Sequence, residues 1–247
     1  MVVAGARELH DGEIAVVGLG VPLLAAALAQ RTHAPTLKVL NELGVADPRP
    51  VEQGVGNADA RLWFGAAFFG SFIDIMGTCL HRGVVDVGFL GALEVDQYGN
   101  SNTTEIVNPD GSVRRFNGSG GANDMASCAK RTIIIARHEA RKLVPRVSHL
   151  TSPGFLTGGR SREEAGLPGG GPWRVLTDKA VLGFDPESRR MVLVSIHPGV
   201  THEDLCASTG FELEIPSNAQ VTAEPTDEEI LLIREELDPR RLYTASE

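Results

Sequence analysis

The chain has 247 residues, a net charge of −9 at pH 7 and 42% hydrophobic residues. This length and composition suit one large globular domain, so we expect residues 1–247 to form a single domain with a self-sufficient core. No segment combines clustered lysines and arginines with aromatic residues, which argues against a nucleic-acid partner. No segment reaches the roughly 18 apolar residues of a membrane span, which argues against membrane insertion.

The cysteines Cys79, Cys128 and Cys206 lie far apart and form no C-x-x-C pair. An odd number of scattered cysteines argues against a disulfide framework and favours a reducing compartment. The N-terminal segment carries acidic residues and no apolar stretch typical of a secretion signal. We therefore expect a cytoplasmic protein. The seven histidines show no spacing typical of a metal site, so we expect no metal.

The first half of the chain alternates predicted strands and helices, an order typical of a parallel sheet in an α/β fold. In chain order the predicted elements are a helix over Val2–Leu9, a strand over Ile14–Val17, a glycine turn at 18–22, a helix over Leu23–Gln30, a strand over Leu37–Asn41, an irregular loop at 46–60, an aromatic-rich segment over Leu62–Phe72 and a strand over Val84–Gly91.

The second half mixes turn-rich segments with short β-branched strands. In chain order these are a turn-rich segment at 96–102, a tight turn at 108–111, a helix over Ala122–Lys130, strands over Arg131–Arg137, Arg174–Leu176, Val181–Phe184 and Met191–Ile196, and helix starts at Thr201 and Thr226. The last helix is predicted over Asp227–Leu237 and is stopped by Asp238-Pro239.

Glu42 follows a predicted strand directly. In open α/β sheets, ligands bind in the crevice at the carboxyl ends of the strands, so this carboxylate is well placed for chemistry. A carboxylate needs no base to act as a nucleophile. Against a thioester it can form an acyl anhydride and release a thiolate. From its position alone, a solvated surface glutamate is the more common case, since most glutamates are exposed.

The loop Gly118-Ser119-Gly120-Gly121 is a candidate site for stabilising negative charge. Attack on a thioester or anhydride produces an oxyanion, and each backbone N–H aimed at it contributes on the order of 3 kcal/mol. A predicted helix begins directly after the loop, and its positive end favours an anion. The pattern is equally typical of a tight structural turn. No base is positioned by the sequence to activate Ser119 as a nucleophile.

Gly18 and Gly20 resemble the start of a dinucleotide-binding fingerprint. The third glycine of the G-x-G-x-x-G pattern is replaced by Leu23, which argues against a nicotinamide-dependent dehydrogenase. We expect instead a tight turn that keeps the following helix close to the strand, near Glu42.

A long series of ordered motifs resembles the β subunits of family I CoA-transferases, especially those of the glutaconate and 3-oxoadipate CoA-transferase type. The matching stretches span nearly the whole chain and are Val17–Pro22, Ala29–Pro35, Glu42–Gly44, Asp86–Gly91, Asp96–Thr104, Arg115–Asn123, Thr151–Gly154, Gly166–Gly169, His197–Gly199 and Ile233–Pro239.

This resemblance implies an open, mostly parallel α/β sheet flanked by helices. It implies that Glu42 becomes a glutamyl-CoA thioester, that the loop Gly118–Gly121 lies at the active site, and that CoA is the only cofactor. It also implies a separate α subunit, paired with this chain in a heterodimer or its multiple. The expected activity is transfer of CoA between an acyl-CoA and a small dicarboxylic or 3-oxo acid.

Two alternatives stay open from the sequence. A CoA-ester hydrolase or lyase on the same fold would form no covalent thioester on Glu42. A structural or regulatory subunit would only support its partner, and replacing Glu42 would leave the activity of the complex intact.

Overall fold

The computed structural model describes residues 1–50, 54, 56, 58–108 and 110–244. The predicted loop at 46–60 and the predicted turn at 108–111 therefore fall partly outside the described residues. The chain folds into two compact units. The first comprises Met1–Phe89 and Glu224–Glu247, and the second comprises Leu90–Ala223. Whether the chain behaves as a single domain stays a prediction.

The first unit is built on a sheet in which β5, β1 and β2 run parallel and β3 and β4 extend the edge antiparallel. Its elements are α1 (Val2–Arg7), β1 (Ile14–Val16), α2 (Val21–Arg31), β2 (Lys38–Asn41), β3 (Val45–Ala46), a 3₁₀ turn (Ala60–Trp63), β4 (Phe68–Phe69), a π-helix (Ile73–Leu80) and β5 (Val87–Gly91), whose last two residues belong to the second unit.

Helix α2 follows the local rules of helix formation. Pro22 occupies the first turn, where its missing N–H costs nothing. Alanines and leucines at the buried positions let α2 pack closely against α1. The C-terminal helix of the same unit begins at Thr226, whose side chain and that of Glu229 form a capping box. It is α-helical over Asp227–Leu231 and continues as a π-helix over Leu232–Leu237.

The second unit contains a larger sheet, a small sheet and a hairpin. Its elements are β6 (Glu94–Asp96), β7 (Ser101–Asn102), β8 (Glu105–Val107), β9 (Val113–Arg115), α3 (Ala122–Cys128), β10 (Arg131–Ile135), β11 (Leu143–Val144), α4 (Ser161–Glu164), β12 (Pro172–Leu176), β13 (Ala180–Phe184), β14 (Met191–Ile196), α5 (His202–Ala207) and β15 (Gln220–Val221).

The strands of the second unit combine both pairing directions. Strands β10 and β12 are parallel, β13 and β14 follow as antiparallel neighbours, and β15 pairs parallel with β14. The small sheet has β6 between β11 and β7, and β8 pairs with β9 as a hairpin. No helix in the described part of the chain is long and apolar enough to cross a membrane.

Several predicted boundaries were wrong by a few residues because element ends are decided by tertiary contacts. The first helix ends at Arg7, the helix predicted over Ala122–Lys130 ends at Cys128, and the strand predicted from Val84 begins at Val87. The π-helix over Ile73–Leu80 was not predicted. A π-helix carries i→i+5 hydrogen bonds, and the apolar period of 3.6 residues does not reveal them.

A buried arginine anchors one end of helix α3. Arg162 is 4% exposed, and burial lowers the pKa of its guanidinium to about 10. The guanidinium donates to the carbonyls of Ala126 and Ser127 in the last turn of α3, at 2.7 and 3.1 Å. It also donates to the carbonyls of Pro153, Gly154 and Gly169. Five carbonyls therefore share one buried cation.

We expect Arg162→Ala to lower the free energy of unfolding by about 3 kcal/mol or more, because buried carbonyls lose charged donors. Arg160→Ala is the matched control, since that side chain is 80% exposed and pairs with the exposed Glu163, a contact worth less than about 1 kcal/mol. Urea unfolding measures both. Equal midpoints for the two variants would contradict the anchoring role.

Candidate active site

Glu42 lies in the tight connection between β2 and β3. The pairing of Asn41 with Val45 leaves three residues, Glu42 to Gly44, to reverse the chain. The N–H of Gly44 donates to the carbonyl of Asn41 at 3.1 Å, and the N–H of Leu43 donates to the Asn41 side-chain oxygen at 2.9 Å. Asn41 thus closes the turn with two hydrogen bonds, one to its carbonyl and one to its side chain. The half-buried Glu42 therefore lies on a rigid hairpin.

Gly44 fixes this hairpin against the segment that leads to the π-helix. Its φ of +102° favours glycine. A Cβ at this position would lie 2.4 Å from the carbonyl oxygen of Gly70, and the N–H of Gly70 donates to the carbonyl of Gly44 at 2.8 Å. Two backbones therefore meet here with no room for a side chain. The position of Glu42 depends on this contact.

The glycine turn predicted near Glu42 lies beside the same strand end. Strand β1 pairs with β2 in parallel, with Val16 opposite Leu40, so both strands end at one edge of the sheet. Gly18, from the turn after β1, and Asn41, next to Glu42, line one small cavity with Leu62. Gly20 caps α2 with a φ of +84°. A side chain at Gly18 would meet only open space.

The glycine loop lies in the second unit and is held by Thr103. The N–H of Gly118 donates to the Thr103 carbonyl at 3.1 Å, and the Thr103 hydroxyl donates to the Gly118 carbonyl at 2.8 Å. The N–H of Gly118 is therefore not available to a substrate oxygen. In the described part of the chain, the N–H groups of Ser119 and Gly120 form no hydrogen bond.

Ser119 and Gly121 form the start of helix α3. The Ser119 hydroxyl accepts the N–H of Asn123 at 3.0 Å, and its carbonyl accepts the N–H of Ala122 at 2.9 Å. Gly121 is buried at the N-cap, and Gly120, with a φ of +50°, is exposed. The Ser119 hydroxyl thus satisfies a backbone N–H in the first turn of α3.

Residues 96–102 were predicted only as a turn-rich segment, and their buried role was not predicted. Asp96, Asn100 and Asn102 are each less than 5% exposed. The amide of Asn100 donates to both carboxylate oxygens of Asp96. Asn102 donates to the buried carboxylate of Glu94 at 2.8 Å. Burial raises the pKa of Asp96, although hydrogen bonds from Asn100 and Tyr98 oppose this change.

This buried network leads directly to the glycine loop. The Asn102 side-chain oxygen accepts the N–H of Thr104, and the Thr151 hydroxyl accepts the N–H of Thr103 at 3.0 Å. The side chain of Asn123, on α3, donates to the carbonyl of Thr151. The sequence signal that could have indicated this network is the high density of Asp, Asn and Thr in the stretch. Such residues form hydrogen bonds to buried backbone groups as readily as they form turns.

Groups of three or more His, Cys, Asp or Glu side chains able to hold a metal ion do not occur among the described residues.

The comparisons with known proteins identify the family. The profile described as Coenzyme A transferase matches residues 1–208. The B-type subunit of glutaconate CoA-transferase from Acidaminococcus fermentans is 37% identical over 246 residues, covering 96% of this chain and 91% of that protein. The B-type subunit of 3-oxoadipate CoA-transferase from Pseudomonas knackmussii is 36% identical over 234 residues, covering 95% and 90%.

The chain belongs to the coenzyme A transferase family.

Solved structures support the same assignment. The crystal structure of glutaconate coenzyme A-transferase from A. fermentans superposes with a TM-score of 0.91 at 36% identity, covering 98% of this chain and 94% of that one. This likeness confirms the predicted α/β fold with its open, mostly parallel sheet and flanking helices. The decarboxylase AibA/AibB superposes with a TM-score of 0.83 at 26% identity, covering 98% and 94%.

The predicted resemblance to CoA-transferase β subunits is thus confirmed for the family. This family transfers CoA between acyl-CoA thioesters and acids, so CoA is its substrate. The roles of Glu42, of the loop Gly118–Gly121 and of the turn at Gly18 and Gly20 stay predictions.

For this transferase-family chain we expect Gly44→Ala to lower the free energy of unfolding by about 2 kcal/mol or more, because the added methyl group collides with a backbone carbonyl at an unfavourable φ. Gly18→Ala is the control and should change it by no more than about 0.5 kcal/mol, since its Cβ meets open space. Urea denaturation measures both. A well-tolerated Gly44→Ala would show that the hairpin does not need this backbone contact.

Proposed function

We propose that this chain is the B-type subunit of a CoA-transferase that moves CoA between an acyl-CoA and a small dicarboxylic or 3-oxo acid. The observation that carries the proposal is the 37% identity to the corresponding subunit of a glutaconate CoA-transferase over 96% of the chain. The placement of Glu42 on a rigid turn at the carboxyl end of a parallel strand supports it.

The proposed reaction is a ping-pong sequence on Glu42. Its carboxylate attacks the thioester carbonyl, and the tetrahedral oxyanion collapses to an acyl-glutamyl anhydride as CoA leaves as a thiolate. The thiolate then attacks the glutamyl carbonyl, giving a Glu42–CoA thioester and releasing the first acid. A second acid reverses the two steps and leaves as its CoA ester. Each attack produces an oxyanion, so N–H donors assist at each stage.

The glycine loop is the proposed source of those donors. The N–H of Gly118 is already bonded to Thr103. The proposed oxyanion donors are therefore the N–H groups of Ser119 and Gly120. Gly121 ends the loop at the helix N-cap. The proposed sequence uses no cofactor other than CoA. The proposed role of the turn at Gly18 and Gly20 is structural. It keeps α2 close to the end of β1 and leaves space open beside Asn41.

We expect Glu42→Gln to reduce CoA transfer by the complex with its partner by a factor on the order of 10³ or more, because the amide is a poor nucleophile. Glu187→Gln, at an exposed turn between β13 and β14, is the matched control and should keep full activity. Transfer rates with a panel of dicarboxylic and 3-oxo acids measure both. Unchanged activity of Glu42→Gln would support a purely structural subunit.

The second candidate is a lyase on CoA esters, favoured by the likeness to the decarboxylase AibA/AibB. A lyase or hydrolase turns over without an acceptor acid, whereas a transferase requires one. Acceptor dependence of the same preparation therefore separates the two.

The partner is proposed to be a separate A-type subunit, since the names of both relatives describe the B-type chain of an enzyme with more than one kind of subunit. The first unit offers a surface suited to it. Within the described part of residues 43–73, six large apolar side chains are 39–68% exposed, and they are Leu43, Phe64, Phe68, Phe69, Phe72 and Ile73. Exposed apolar side chains concentrated in one segment of a chain are typical of a protein interface. The free thiols of all three cysteines agree with the expected cytoplasmic location.

We expect Phe69→Arg to weaken association with the A-type partner by about tenfold or more, since a buried aromatic anchor typically contributes at least about 1–2 kcal/mol to an interface. Leu231→Arg is the control, because Leu231 is similarly exposed, at 62% against 61% for Phe69, but lies on the C-terminal helix. Titration of the purified partner gives both dissociation constants. Equal constants would place the partner elsewhere.

A further inference from the structure

Thr103 contacts the glycine loop with both its backbone and its side chain. Its carbonyl accepts the N–H of Gly118, and its hydroxyl donates to the carbonyl of the same glycine. Gly118 has a φ of +81°, a conformation that side chains other than glycine disfavour. The two hydrogen bonds hold the peptide on each side of this glycine, so the loop cannot rotate freely there.

The second of these bonds has a direct consequence for Ser119. The carbonyl of Gly118 and the N–H of Ser119 belong to one planar trans peptide, in which they point in opposite directions. When the Thr103 hydroxyl fixes the carbonyl on one side, the N–H of Ser119 is fixed on the other. A carbonyl that accepts a hydrogen bond also polarises its peptide, which strengthens the N–H as a donor.

Thr103 is itself held firmly. Its own N–H donates to the hydroxyl of Thr151 at 3.0 Å, and Thr151 is 6% exposed. The N–H of Thr151 donates to the carbonyl of the buried Ser101 at 3.0 Å. The hydroxyl of Thr103 is therefore presented to Gly118 from a fixed backbone.

We infer that Thr103 is a positioning residue that aims the Ser119 N–H at the oxyanion. This inference rests on the proposed function and adds to it the residue that orients a donor. Thr103 does not contact the reacting atoms in this assignment. It acts through the Gly118–Ser119 peptide, so its loss should slow bond formation and leave CoA-ester binding intact.

The test compares Thr103→Val with Thr103→Ser in the complex with the A-type partner. Valine keeps the shape of threonine and loses the hydroxyl, whereas serine keeps the hydroxyl. Thr209→Val is the matched control, because Thr209 is buried and its hydroxyl bonds to His138, at 2.9 Å, and to the Leu205 carbonyl, at 2.8 Å, rather than to the glycine loop or Thr151. The measurements are the single-turnover rate of thioester formation on Glu42, the KM for acyl-CoA and the thermal midpoint.

We expect Thr103→Val to slow thioester formation by about tenfold or more with little change in KM, as for the loss of an oxyanion donor. Thr103→Ser should restore the rate to near the wild-type value. Thr209→Val should lower the thermal midpoint and keep the rate.

Each contrary result has a distinct meaning. A wild-type complex that forms no thioester overturns the proposed function, and this assignment with it. A wild-type complex that forms the thioester, with Thr103→Val no slower than Thr209→Val, overturns the assignment alone. A rise in KM equal to the loss in rate, or a failure of serine to restore the rate, also overturns it.

Discussion

The backbone contact between Gly44 and Gly70 is the constraint on which the candidate site depends. A Cβ at residue 44 would lie 2.4 Å from the carbonyl oxygen of Gly70. The β2–β3 hairpin can therefore approach the segment around Gly70 only with glycine at position 44. That approach orders β3 and β4 at the edge of the sheet and holds Glu42 on a closed turn. In the proposed reaction Glu42 is the nucleophile, and a nucleophile on a rigid turn loses little conformational freedom when it reacts.

In the second unit, buried polar groups rather than a close glycine contact hold the candidate glycine loop. Asp96, Asn100 and Asn102 are buried, and their hydrogen bonds to neighbouring side chains and backbone offset the cost of removing them from water. Thr103 and Thr151 extend this network to the glycine loop, and Arg162 holds the far end of α3. Thr103 and Thr151 thus hold the glycine loop at the N-terminal end of α3, and Arg162 holds the C-terminal end. These contacts restrict the backbone that carries the N–H groups of Ser119 and Gly120.

Helices α1 and α2, the C-terminal helix and strands β1, β2 and β5 of the first unit could be predicted from the sequence because they depend on local patterns, whereas β3, β4 and the π-helix were not predicted. Pro22 starts α2, Thr226 starts the C-terminal helix, and Glu42 follows an apolar strand. The role of Gly44 could not be predicted, since its contact is with Gly70, far along the chain. The role of residues 96–102 was also hidden, because Asp and Asn form turns and buried networks alike. The same holds for Gly118, whose N–H is used by a threonine that no motif pairs with it.

In the proposed reaction Glu42 carries CoA covalently during turnover. The most direct measurement is to incubate the complex with acyl-CoA, reduce it with borohydride and map the modified peptide by mass spectrometry. We predict a reduced glutamyl side chain at Glu42 that appears only with acyl-CoA and is absent from Glu42→Gln. An unmodified Glu42 in a complex that turns over acyl-CoA would contradict it and favour direct lyase or hydrolase chemistry.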